Sequence, residues 1–145
     1  LRIFNMANLV SNELRTAALA AYFSAGAAPV NLYLRLYKDE ANIVEATVLG
    51  DISTNEQAGG GYAVKTLAPA DWTVEQGVGG IRVRLADQTW TTTADNWNTL
   101  RWAVLSTTAD NSGTILLARD YGTGKTVTGV GANVTVDDLF YQIND

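Results

Sequence analysis

From Val30 onward the hydrophobic period of this chain is two, and glycine-rich turns break it into short pieces. Val30-Asn31-Leu32-Tyr33-Leu34-Arg35-Leu36-Tyr37 alternates aliphatic residues with polar residues or tyrosine. As a half-buried strand it would send the aliphatic residues into a core and turn Tyr33, Arg35 and Tyr37 outward. Ile81–Leu85 repeats the pattern with Arg82 and Arg84 on one face, and Thr89–Thr93 is threonine-rich around one large anchor, Trp90. Further strands are predicted at Tyr62–Leu67, Trp72–Glu75, Leu100–Leu105, Thr114–Ala118, Val127–Val130, Val134–Val136 and Leu139–Ile143. Turns are predicted at Gly59–Gly61, Gly77–Gly80, Asp110–Gly113 and Gly122–Gly124, with a bend at Ala68-Pro69-Ala70. Val44–Leu49 reads either as a strand or as part of a long excursion. Many short strands at this spacing predict a mainly β fold, an antiparallel sandwich, a jelly roll or a closely related barrel, of which a jelly-roll-like antiparallel β-sandwich is the expected one.

One segment has the other period. Leu14, Ala18, Ala21, Tyr22 and Ala25 form a single apolar stripe, Ser11 can cap it, and Gly26 with Pro29 ends it. An N-terminal helix over about 11–25 is expected. Met6-Ala7-Asn8 resembles a translation start, so Leu1–Asn5 reads as an added leader. At 145 residues the whole chain, 1–145, is expected to form one domain.

Composition removes much of enzyme chemistry. With no cysteine and no histidine, the chain lacks thiolate metal sites, cysteine nucleophiles, histidine bases and the commonest zinc ligand. No cofactor and no metal site is expected. A net charge of −5 has the wrong sign for tracking nucleic-acid phosphates, and no apolar run reaches membrane-spanning length. Gly122-Thr123-Gly124-Lys125-Thr126 imitates a phosphate loop, but Arg119 stands where its first glycine belongs and no helix is predicted to follow. Asp39-Glu40, Asp137-Asp138 and Asp145 read as solvated turn acids, since nothing places two of them across a cleft.

Aromatic residues are the candidate contact groups. Only 17% of residues are charged, and interface centres are poor in charge and rich in aromatics. Phe23 on the helix, the outward Tyr33 and Tyr37, and Trp97 are therefore candidate protein-interface residues, and a homo-oligomer is expected. Trp97, in the polar stretch Ala94–Asn98, has three readings: a lid on the core, an interface anchor, or a stacking platform for a sugar.

The order of these pieces resembles a family. A helix over Asn12–Ala25 leads into Leu32–Tyr37 and an acid-and-threonine excursion. Gly61–Leu67 with Asp71-Trp72-Thr73-Val74 follows, then the Thr-Trp-Thr-Thr-Thr strand, Leu116–Arg119 and Val134-Thr135-Val136. This layout is similar to the small virion structural proteins of tailed bacteriophages. The resemblance implies a capsid decoration (cement) protein, not an enzyme, that binds the major capsid protein on the virion surface. Such a protein would be a trimer by expectation, assembled in the host cytoplasm. The alternative it implies is a tail or fibre component that contributes to glycan binding on the host. Internal pressure loads capsid joints, and a rigid β module spanning them adds buried area that separation must expose.

Overall fold

The computed structural model describes residues 8–10, 31–77 and 80–144. The helix expected over 11–25, Phe23, the leader Leu1–Asn5 and Asp145 lie outside them. The described chain is mainly β, and every strand pairing in it is antiparallel. Its strands are β1 (Asn8–Val10), β2 (Leu32–Lys38), β3 (Lys65–Leu67), β4 (Trp72–Gly77), β5 (Gly80–Leu85), β6 (Gln88–Thr91), β7 (Leu100–Ser106), β8 (Ile115–Lys125), β9 (Asn133–Val136) and β10 (Phe140–Asn144). They form a five-stranded sheet in the order β1-β8-β7-β2-β3, a three-stranded sheet β10-β5-β4 and a pair β6-β9. Short 3₁₀ turns occupy Leu49–Asn55 and Pro69–Asp71, the second at the predicted bend.

The five-stranded sheet is covered on both faces, which the alternating pattern did not anticipate. Leu34 and Leu36 pair with Leu105 and Ala103 and face a core completed by Leu67, Leu85, Trp90, Trp97, Leu117 and Val136. On the other face, Tyr37, Trp102, Val104 and Ala118 pack under Ala41, Ile43, Leu49 and Ile52. The uncertain Ala41–Gln57 stretch is thus a strap over the second face. It contains no strand, and Val44 and Val48 are exposed on it. Arg35 and Tyr37, expected outside, are instead buried, with exposures of 2% and 0%. A sheet covered on both faces buries consecutive residues, so period two no longer separates inside from outside.

Two turn assignments change. Gly122-Thr123-Gly124 lies within β8. The register there jumps from Trp102↔Asp120 to Leu100↔Lys125, so Tyr121–Gly124 bulge out opposite Arg101 alone. Gly122 has φ +77, the conformation that makes it look like turn sequence. Val127–Val130 is not a strand. It leads into a turn at Gly129–Gly131 that carries Val130 at 70% exposure.

Candidate functional site

The strongest concentration of organised polar chemistry surrounds Arg35. Its backbone belongs to β2, and its side chain runs under the strap. Nε donates to Ser106 Oγ at 3.2 Å, and Nη1 donates to Glu56 Oε2 at 2.8 Å and Asn111 Oδ1 at 3.4 Å. Nη2 donates to three successive carbonyls, those of Thr108 at 3.2 Å, Ala109 at 2.5 Å and Asp110 at 2.7 Å. One guanidinium therefore holds both the end of the strap and the hairpin joining β7 to β8. Arginine suits the task because its planar fork carries five fixed donors and stays charged when buried.

Glu56 passes the network onward. Its second oxygen accepts from the Tyr62 hydroxyl at 2.7 Å, and that hydroxyl accepts from the Leu36 backbone N–H at 3.1 Å. Burial first, then the Glu56 charge, raises the Tyr62 hydroxyl well above its ordinary range. The Tyr62 ring meets Trp97 edge-on, with centroids 5.9 Å apart at 86°, and stacks near Trp90 at 6.2 Å. Trp97 Nε1 donates to the Gly60 carbonyl at 2.7 Å, and Trp90 Nε1 donates to the Ala63 carbonyl at 2.7 Å. Gly60 permits this approach: at φ +59 a Cβ would stand 2.6 Å from the Trp97 ring.

Two tyrosines of this region have opposite prospects. Among the described residues Tyr37 Oη is buried with no hydrogen-bond partner, whereas Tyr62 Oη both donates and accepts. Tyr37→Phe is therefore expected to leave stability unchanged or raise it. Tyr62→Phe is expected to lower it by about 1–3 kcal/mol, because the Leu36 N–H then has no acceptor. Urea titrations of the two variants side by side check the contrast; equal losses would show that the Tyr37 hydroxyl is satisfied in solution.

The hairpin tip is ordered by its own acid. Asp110 Oδ1 accepts from Ser112 Oγ, the Ser112 N–H and Thr108 Oγ1 at 2.5, 3.0 and 2.9 Å. Those bonds hold its carboxyl down to about 2, from an ordinary 3.8. Because the folded value is the lower one, this order is complete above the unfolded value and is lost as pH falls through about 2. The Ser112 amide resonance is expected to titrate with a midpoint near pH 2. A midpoint near 4, the unperturbed carboxyl value, would mean that the turn is not formed in solution.

A second held carboxylate marks the β8 bulge. Asp120 takes Arg101 Nε at 2.8 Å and Nη2 at 2.9 Å, and its Oδ1 also accepts the Gly122 N–H at 2.7 Å. Arg101 first, and then the Gly122 N–H, lower the Asp120 carboxyl below its ordinary value despite some burial.

The candidate interface residues that are described, Tyr33, Tyr37 and Trp97, do not assemble into one surface. Tyr33 is half-buried beside Ser106, Tyr37 lies in the core under the strap, and Trp97 is 7% exposed on the first core. Of the three readings of Trp97, its position is that of the core lid. The ring has little face left for a sugar, and its N–H is committed to Gly60. Asp39, Glu40, Asp137 and Asp138 are exposed turn acids. Glu56, Asp110 and Asp120, each held by two or more donors, are not singled out by the sequence. Asp110-Asn111-Ser112-Gly113 was legible as a turn, and its leading acid was the available signal. Glu56 has no local signal, since its partners are 21 residues before it and 6 after it.

Among the described residues no group of three or more acidic residues is placed to hold a metal ion, and no helix is long and apolar enough to cross a membrane. No family model, curated protein or solved structure matches this chain. What the organised residues do is immobilise backbone: Arg35 and Glu56 fix the strap and hairpin, and Trp97 fixes the glycine turn.

Proposed function

We propose that the chain is a bacteriophage virion structural protein, a capsid decoration protein that binds the major capsid protein and stabilises its lattice. In this reading the sheets form a jelly-roll-like sandwich, with the helix over about 11–25 at its start, and the protein acts on the capsid surface without catalysis. The observation that supports it is the Arg35 network. A buried guanidinium cross-linking strap, sheet and hairpin makes a module that resists shear, which is what a joint under internal pressure requires.

Immunogold labelling of intact particles tests the proposal. Gold spread over heads is the expected result, and gold confined to the tail would overturn it in favour of a tail or fibre role. Adding the purified chain to undecorated heads should raise the temperature at which they release DNA; no shift would count against a cement function.

A further inference from the structure

The outer edge of β4 differs from the other sheet edges. β1 and β3 have three residues each, β6 and β9 have four, β3 opens on a lysine, and β10 lies beside β1. Brevity, lysine and cover are the usual protections of an exposed edge. β4 has six residues in unbroken register with β5, from Trp72↔Leu85 to Gly77↔Gly80, and contains no lysine, proline or bulge. Among the described residues no backbone group pairs with its outer side.

The direction of its free groups follows from two neighbouring bonds. The Leu85 N–H donates to the Leu139 carbonyl at 2.9 Å, on the β10 side, and the Ala86 N–H donates to the Asp71 carbonyl at 2.8 Å, on the β4 side. Alternation along β5 then turns Ile81, Val83 and Leu85 towards β10. Their opposite numbers Gln76, Val74 and Trp72 therefore point their N–H and C=O groups away from the sheet.

We propose that this edge pairs with the β4 edge of a second copy of the chain, antiparallel about a two-fold axis at Val74. The outward row is symmetric about that residue. Val74 meets Val74 of the second copy and Trp72 meets Gln76, three hydrogen-bonded pairs exchanging about six bonds. Glu75 then stands opposite Thr73. Centring on Thr73 leaves only two such pairs, and centring on Glu75 also leaves two and places that acid opposite itself, which like charges disfavour. The product is a continuous sheet β10-β5-β4-β4-β5-β10. It is a closed two-fold contact, so the trimer expected from the family resemblance would need a different surface. The inference stands independently of the capsid proposal.

Sedimentation velocity of the whole chain tests it, with two substitutions at Val74. Val74→Pro removes an outward N–H that β5 does not use, a change sheet edges tolerate. The wild type should sediment as a dimer at micromolar concentration, with dimerisation weakened at least tenfold in Val74→Pro. Because the natural sequence has no cysteine, Val74→Cys introduces a single thiol. At a hydrogen-bonded pair its Cα atoms would lie about 5.5 Å apart, within disulfide reach. Oxidation should give a covalent dimer from Val74→Cys and little from Thr89→Cys, an exposed position on β6. A wild type that stays monomeric, or a Val74→Cys chain that cross-links no faster than Thr89→Cys, overturns the proposal. If Val74→Pro fails to fold, the two cysteine variants decide alone.

Discussion

Arg35→Met is expected to lower folding stability by about 3–5 kcal/mol, a large share of what holds a domain of this size together. The loss has two sources. Glu56, only 13% exposed, loses the cation that offsets its burial. The carbonyls of Thr108, Ala109 and Asp110 lose their shared donor, and Ser106 Oγ, which donates to the Thr108 carbonyl at 3.2 Å, is left as the side-chain tie between hairpin and sheet. Arg35→Lys should recover only part of this, because an ammonium cannot reach Ser106, Glu56 and three carbonyls in the geometry of a planar fork. Neutralising the stranded acid as well, in Arg35→Met with Glu56→Gln, is expected to return about 1–2 kcal/mol relative to additivity. Urea unfolding of wild type, Arg35→Met, Arg35→Lys, Glu56→Gln and the double variant measures this. If Arg35→Met lies within about 1 kcal/mol of wild type, the network contributes no net stability. Limited proteolysis should then also find the 107–113 hairpin as resistant as before; under the expected outcome it becomes the first site of cleavage.

Trp97→Ala should cost a comparable amount, about 3–5 kcal/mol, through the cavity left by an indole buried against Tyr62. Trp97→Phe separates packing from hydrogen bonding. It keeps most of the ring, and the Gly60 carbonyl still accepts from the Thr93 N–H at 2.8 Å, so the expected loss is only about 1 kcal/mol. Equilibrium unfolding of both variants checks the order. A Trp97→Ala protein as stable as wild type would mean that the indole is exposed in solution and would reopen the sugar-stacking reading. The same substitution is a poor probe of glycan binding, because loss of binding would report loss of fold.

Much of the framework was legible because it is written locally. Leu32–Tyr37 and Val134–Val136 alternate, Leu100–Leu105 is a short, mostly apolar run, and strands stand close to each. Gly59–Gly61 reads as a turn, and all three glycines take positive φ. The errors share one cause. Alternation places Arg35 and Tyr37 outside because it assigns two faces but does not say that a distant segment covers the second. Gly122–Gly124 reads as a turn because glycine marks backbone freedom, which a bulge uses as readily. Trp97 is a different case: its polar immediate neighbours leave three readings open, and its partners Gly60 and Tyr62, far away in sequence, select the core lid.

The sequence alone therefore determined the strand-rich class, the removal of histidine and cysteine chemistry, and the positions of most turns, since each depends on residue type and near-neighbour spacing. Tertiary structure decided that the strap closes a second core, that Arg35 is an internal cross-link, and that β4 is left with a regular edge unpaired among the described residues. Those outcomes depend on which segments meet. Contacts between residues tens of positions apart are fixed by the packing of whole faces, and no local period encodes them.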